Sequence, residues 1–67
     1  MIVYKIDVLA ALSKAGYTSY RLRNEHIIGE FTLQKIREGG PITWNTLGKL
    51  CDMLHCQPGD LIMNVPG

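Results

Sequence analysis

The sequence predicts an all-α domain of five short helices, with short extended segments at both ends of the chain. Apolar residues recur at spacings of three and four over residues 5–15 and 44–55, which is typical of a helix with one buried face. Glycine and proline interrupt these stretches, and both residues end helices. The chain has 67 residues, so we expect a single domain over 1–67 without a deep substrate cleft.

The first helix is expected over residues 5–15. Asp7 near its start and Lys14 near its end suit the helix dipole. Gly16 follows and can adopt the left-handed conformation that ends a helix. The expected buried face consists of Val8, Ala11, Leu12 and Ala15.

Two short helices joined by a tight turn are expected in the middle of the chain. The earlier one covers about residues 20–26 and is capped by Thr18 or Ser19, because a side-chain hydroxyl there accepts a free backbone N–H. The later one covers about residues 30–38 and ends at the Gly-Gly-Pro run of residues 39–41. The residues expected to be buried at this corner are Leu22, Ile28, Leu33 and Ile36.

A fourth helix is expected over residues 44–55, with Thr43 as its N-cap. Gly48 within it lowers helix propensity by roughly 1 kcal/mol relative to alanine, so we expect a close approach by another group there. A short fifth helical turn is expected over residues 57–61, where Pro58 suits a first helical position. The expected apolar stripe of the fourth helix is Trp44, Leu47, Leu50, Cys51 and Leu54, with Leu22 close to Leu50.

Apolar, β-prone residues occupy both ends of the chain. Residues 2–4 and 62–65 have this character, and neither segment is needed to cover the helices. We expect the two segments to pair as short strands, either within one chain or between two chains. We also expect a homodimer through this region, because its apolar residues remain free for a partner.

Charge and composition limit the function classes. The formal net charge is +1 and the pI is about 7.8, which is weakly basic for a nucleic-acid-binding protein. There is no charged segment followed by an apolar run at the start, and no apolar stretch long enough to span a bilayer, so we expect a cytoplasmic protein without membrane association. In that compartment Cys51 and Cys56 are expected to be reduced.

Two blocks of residues carry a family resemblance. The first is residues 18–22 together with 32–36 and Gly39. The second consists of Leu47, Leu50, Cys51, Leu54 and residues 56–61. With these residues the chain resembles the Cro/C1-type (lambda-repressor-like, or XRE-like) helix-turn-helix domains, especially a small bacterial and phage subgroup, over roughly residues 8–62. The resemblance implies a five-helix, all-α DNA-binding fold in which helix 3 enters the major groove.

Three positions depart from the family pattern. Arg23 stands where the family has a small residue, and Ile27 stands where it has a glycine in the turn. A β-branched residue resists a positive φ, so we expect Gly29 to take the left-handed position instead. Gly29 also replaces the serine-like cap of the recognition helix.

The resemblance also implies a set of DNA-contacting residues. Lys35 can donate to guanine or to a phosphate, Gln34 can read adenine, and Phe31 can contact a thymine methyl group. Glu30 can accept from cytosine N4. The alternative for each is an ordinary solvated side chain. The expected base-facing residues are Gly29, Glu30, Phe31, Gln34 and Lys35, and the expected phosphate contacts are Ser19, Arg21, Arg23 and Arg37.

Other chemistry has little support in the sequence. Cys51, His55 and Cys56 suggest a metal, but a structural zinc site needs a fourth ligand and only His26 remains, so packing is the preferred interpretation. A Cys51–Cys56 disulfide is not expected along one helix end in a reducing compartment. No catalytic constellation or phosphate-binding glycine loop occurs, so we expect neither an enzyme nor a cofactor or small-molecule ligand.

The sequence therefore predicts sequence-specific binding to double-stranded DNA, most simply by a small transcriptional regulator. The competing class is a protein-interaction module that keeps the fold without binding DNA. The near-neutral charge, together with Glu30, Ile27 and Arg23, favours this alternative slightly.

Overall fold

A computed structural model describes residues 1–67 and contains five helices and one two-stranded sheet. The all-α prediction is correct for the five helices, while the extended ends form the sheet. No helix is both long enough and apolar enough to cross a membrane. The elements in chain order are β1 (Ile2–Tyr4), α1 (Val8–Lys14), α2 (Ser19–Asn24), α3 (Glu30–Arg37), α4 (Trp44–Leu54), α5 (Pro58–Leu61) and β2 (Ile62–Asn64).

The two ends of the chain pair with each other in an antiparallel sheet. Val3 lies opposite Met63, and the residues before and after them in β1 and β2 pair in the same antiparallel register. The amino group of Met1 donates to Asn64 Oδ1 at 2.8 Å and to the Val65 carbonyl oxygen at 2.9 Å. Of the two expected pairings, the structure therefore contains the one within a single chain.

The start of α1 is later than the sequence predicts. The backbone N–H of Lys5 donates to the carbonyl oxygen of Leu61 at 2.8 Å, which continues the strand pairing and holds Lys5 outside the helix. Asp7 is the N-cap, and its side chain accepts from the N–H of Ala10 at 3.1 Å. At the other end, Ala15 is an exposed C-cap and not a buried position.

The turn between α2 and α3 differs from the prediction. His26 takes the left-handed conformation, with φ of 53°, whereas Gly29 has φ of −66° and serves as the N-cap of α3. The expectation for Gly29 was wrong because histidine tolerates this region of φ/ψ space better than a β-branched residue. Ile27 then follows with its carbonyl oxygen bound by Lys49 Nζ at 2.9 Å. Thr18 caps α2, as expected, by accepting from the N–H of Arg21 at 3.2 Å.

Helix α4 begins and ends with recognisable caps. Thr43 Oγ1 accepts from the N–H of Thr46 at 3.1 Å, which confirms the predicted N-cap. His55 follows the last helical residue in the left-handed conformation, so α4 ends one residue earlier than predicted. No group lies within 4 Å of a Cβ built on Gly48, so the expected close approach there is absent.

The core lies between the helices and is entirely apolar. Leu50 is 0% exposed and Leu22 is also fully buried, which confirms the centre of the predicted core. Leu54 is only half-buried. The buried residues are Val8, Leu12, Leu22, Ile28, Leu33, Ile36, Leu47, Leu50, Cys51 and Leu61.

Trp44 does not belong to this core, contrary to the prediction. Its side chain is 85% exposed, although its spacing from Leu47 would place both on one helix face. It is the first residue of α4, beyond the point where the other helices cover that face. It lines a shallow apolar groove with Ile2, Pro41 and Ile42.

Alkaline pH is expected to destabilise this fold. Burial raises the pKa of the Tyr4 hydroxyl, which donates to the Gly40 carbonyl oxygen at 2.8 Å. Burial also raises the pKa of the Cys51 thiol. Both groups keep their protons to a higher pH in the folded state than in the unfolded state. Their contribution to stability is therefore complete below the unfolded-state pKa values, about 8.5 for cysteine and about 10 for tyrosine, and is lost as pH rises above them.

The measurement is urea unfolding at a series of pH values from neutral to strongly alkaline. Tyr4→Phe removes the tyrosine contribution and should flatten the decline above about pH 10, the unfolded tyrosine pKa. An equally steep decline in Tyr4→Phe would show that Tyr4 is not its source.

Candidate nucleic-acid interface

Helix α3 is held by its inner face and leaves its outer face free. Leu33 and Ile36 are buried three residues apart and fix the rotation of the helix about its axis. The N-cap Gly29 has no side chain and makes no side-chain cap hydrogen bond. The exposed or half-buried residues of α3 that the sequence predicted as contacts are Glu30, Phe31, Gln34, Lys35 and Arg37.

One shallow depression at the corner of α2 and α3 brings together five of the nine predicted site residues. These are Arg23, Glu30, Phe31, Gln34 and Arg37, with the buried Leu33 as its floor. Two guanidinium groups, one carboxylate, one amide and one aromatic ring therefore face the same space. This mixture can donate to and accept from base edges and can bind phosphate oxygens.

Arg23 and Glu30 form an ion pair across the turn. Arg23 Nη1 donates to Glu30 Oε1 at 3.0 Å, and both side chains remain about half or more exposed. In water such a pair contributes little to stability. It does compensate the negative charge that Glu30 would otherwise bring to DNA phosphates, so Arg23 and Glu30 are complementary.

Gln34 is the centre of a hydrogen-bonded row along α3. Its Nε2 donates to Glu38 Oε2 at 2.9 Å, and its Oε1 accepts from Arg37 Nη1 at 3.0 Å. All three side chains are exposed. Exposed contacts of this kind exchange readily with water, so the amide is free to bind a base edge instead.

Phe31 and Lys35 interact on the same side of the helix. Lys35 Nζ lies 5.4 Å from the centre of the Phe31 ring, in the range of a cation–π contact, and the Phe31 side chain is 75% exposed. Both line a second depression whose other wall includes Thr43 and Thr46. Sequence reasoning did not include these two hydroxyl residues in the site, because only the fold brings the start of α4 beside α3.

Ser19 and Arg21 are separate from this group. Ser19 is the first residue of α2 and is half-buried. The guanidinium of Arg21 turns back towards α1: it donates to the Gly16 carbonyl oxygen at 3.1 Å and to Glu25 Oε2 at 2.8 Å, and lies 5.0 Å from the Tyr17 ring centre. None of the hydrogen bonds or ion pairs of the Arg21 side chain involves a residue of α3.

Charge is distributed unevenly along the chain. Residues 19–37 carry four of the seven basic side chains and two of the six acidic ones, a net charge of +2. The remaining residues carry three basic and four acidic side chains, a net charge of −1. The segment that presents α3 is therefore the positive part of a nearly neutral protein, which suits an anionic partner.

The short α2, the turn at His26 and the exposed α3 define a helix-turn-helix domain. A family model described as the Cro/C1-type HTH DNA-binding domain matches residues 5–67. The chain belongs to this family, which confirms the resemblance predicted from the sequence. No curated protein and no solved structure gives a significant match.

The two thiols and the imidazole of His55 lie away from this face, around the end of α4. Cys51 is buried, and Cys56 is half-buried where α4 ends. Burial is the main cause that raises the pKa of the Cys51 thiol, and the neighbouring Cys56 adds to it. No group of three or more His, Cys, Asp or Glu side chains is arranged to hold a metal ion.

Proposed function

We propose that the protein binds specific sequences of double-stranded DNA and acts in the cytoplasm as a small transcription regulator that reads the major groove with α3. The observation that carries the proposal is the outer face of α3, where polar and aromatic side chains stand free in the positive part of a Cro/C1-type domain. Membership of this family supports DNA binding in general. The particular contacts are part of the proposal, and the arrangement of the side chains supports them.

The base-reading group comprises Glu30, Phe31 and Gln34, next to the cap residue Gly29. Glu30 and Phe31 are the first two residues of α3, the end that enters the groove in helix-turn-helix proteins, and Gln34 lies one turn further along the helix. Glu30 Oε1 is held by Arg23, which leaves its other oxygen to accept from a cytosine amino group. Gln34 can form paired hydrogen bonds with adenine, and Phe31 can contact a thymine methyl group.

The phosphate-binding group comprises Arg23 and Arg37 beside the depression, with Ser19 and Arg21 at the start of α2. Arg37 is exposed and its side chain donates to the neutral amide of Gln34 without forming an ion pair, so no acid competes with a phosphate for it. Arg21 must give up its contact with Glu25. Lys35 can belong to either group, and its ammonium lies 5.4 Å from the centre of the Phe31 ring.

Selection from randomised duplex DNA at several salt concentrations tests this function. We expect enrichment of a defined sequence and an affinity that falls as salt rises, because bound Lys and Arg release counterions from the DNA. Binding without enrichment of any sequence would contradict sequence-specific recognition. Failure to bind any duplex, even at low salt, would contradict DNA binding altogether.

A second candidate function is protein interaction through the same fold. The observation that favours it is the 75% exposure of the Phe31 ring at the centre of a face where Arg23 already has an acidic partner. Exposed aromatic residues are enriched at protein interfaces. If this is the function, the protein should not bind duplex DNA at any salt concentration. The Phe31→Ala variant should lose binding to a protein partner.

We also propose a homodimer through the terminal sheet. A sheet of only two strands is marginal in water, and each strand here has one free edge. Ile2, Met63 and Val65 remain exposed beside those edges. A second copy that adds its strands at one edge would cover these residues and bring a second α3 to the adjacent half-site.

Sedimentation is expected to show a dimer that dissociates on dilution. Met63→Lys places a charge beside the sheet edge and should shift the equilibrium to monomer. Ser13→Lys adds the same charge on the exposed side of α1 and should leave the dimer unchanged. A parent protein that sediments only as monomer at high concentration would exclude this dimer.

A further inference from the structure

The end of α4 brings two cysteines together that the sequence places five residues apart. His55 adopts the left-handed conformation, with φ of 53°, and reverses the direction of the chain. The backbone N–H of Cys56 then donates to the Cys51 carbonyl oxygen at 3.0 Å. This is the Schellman arrangement, in which the residue after the left-handed one folds back onto the last turn, and the side chains at these two positions commonly touch.

The surroundings of the two side chains show the same proximity. Both cysteines line one open depression, together with Asp52, His55 and Asp60. Cys56 packs against the hydrophobic core that contains Cys51. The neighbouring Cys56 also contributes, after burial, to the raised pKa of the Cys51 thiol.

We propose that Cys51 and Cys56 are a dithiol site that is reversibly oxidised to an intramolecular disulfide by a low-molecular-weight disulfide. The sequence argued against this bond because the two residues lie along one helix end in a reducing compartment. The reversal of the chain at His55, which the sequence did not predict, returns Cys56 to Cys51. The proposal does not rest on the DNA-binding function, because none of the residues involved belongs to α2 or α3.

The exchange proceeds in two balanced steps. The half-buried Cys56, as thiolate, attacks one sulfur of the small disulfide, forms a mixed disulfide and releases the first small thiolate. The Cys51 thiol then loses its proton, attacks the Cys56 sulfur and releases the second small thiolate. Overall the two protein thiols lose two electrons and two protons, and the small disulfide becomes two thiols.

The order of attack follows from exposure. Cys51 is only 8% exposed and its thiol is held in the protonated form by burial, so it does not meet the oxidant first. Cys56 is half-buried at the rim of the depression and is the residue that an external disulfide can reach. Cys51 is therefore the resolving cysteine.

The test uses the full chain in buffers with different ratios of oxidised to reduced glutathione, followed by acid quench, alkylation and intact-mass measurement. We expect a species that lacks two hydrogen atoms, carries no alkyl group and returns to the dithiol with excess reduced glutathione. We also expect its Tm to exceed that of the reduced form, because a cross-link in native geometry restricts the unfolded chain. Three results would overturn the proposal: a stable glutathione adduct on the parent, a dimer linked by a disulfide between two chains, or a lower Tm of the oxidised form.

Two single variants separate the roles of the cysteines. Cys51→Ala should stop the reaction at a stable glutathione adduct on Cys56. Cys56→Ser, at the less buried position, should react many-fold more slowly than the parent because only Cys51 remains. Rapid modification of Cys51 in Cys56→Ser would contradict the proposed order, and this variant remains informative if loss of the buried thiol in Cys51→Ala impairs folding.

Discussion

Leu50→Ala is expected to lower the free energy of unfolding by about 2–5 kcal/mol. Leu50 is 0% exposed at the centre of the core, and its truncation leaves a cavity that the surrounding helices cannot fill. A domain of this size has a total stability of about 5 kcal/mol, so the variant should retain only about 0–3 kcal/mol, and at the largest loss about half of its molecules should be unfolded at room temperature. Urea titration, monitored by circular dichroism, measures the free energy of unfolding of the parent and of the variant.

Trp44→Ala is the matched control on the same helix. Although it removes a larger side chain, Trp44 is 85% exposed, so we expect a change of about 0.5 kcal/mol or less. A near-native Tm for Leu50→Ala would show that α4 does not pack as described. A large loss for Trp44→Ala alone would show that its indole is covered, for example in a dimer.

Substitutions on the outer face of α3 are expected to divide into two kinds. Phe31→Ala and Gln34→Ala remove base contacts and should change the selected DNA sequence, each at a cost of roughly 1–3 kcal/mol in discrimination. Arg37→Ala removes a phosphate contact, so it should weaken binding to all sequences alike and reduce the salt slope by about one. Lys35→Ala decides between the two roles for that residue.

Lys14→Ala is the control for loss of a positive charge. Lys14 lies at the end of α1, outside both depressions beside α3, and its removal should leave both the selected sequence and the salt slope unchanged. Arg21→Ala tests the start of α2 in the same assay. If Arg21, Arg37 and Lys35 variants all keep the parental salt slope, α3 does not approach the phosphates and protein interaction becomes the better proposal.

The helices could be predicted because their signals are local. Thr18 and Thr43 each precede a helical period and cap the helix they were expected to cap, and Leu22 and Leu50 lie on apolar faces that the spacing identifies. Trp44 shows the limit of this reasoning. Periodicity assigns a residue to a face, whereas burial depends on whether another element covers that part of the face.

The contacts within the candidate site could not be predicted from the sequence. Arg23 and Glu30 are seven residues apart, and their ion pair depends on the angle at which α2 meets α3. That angle depends on the left-handed residue in the turn, which the sequence argument from Ile27 assigned to Gly29 and the structure assigns to His26. Thr43 and Thr46 reach the site only through the packing of α4.

The sheet formed by the two chain ends also determines an order of events during folding. The hydrogen bond from the Met1 amino group to Asn64 joins residues 63 positions apart, whereas each helix is built from neighbours within four residues. Closing so long a loop is unfavourable until the helices have compacted the chain. Strand pairing should therefore be the last step of folding and the first to open, so amide hydrogens of Val3 and Met63 should exchange with solvent sooner than that of Leu50.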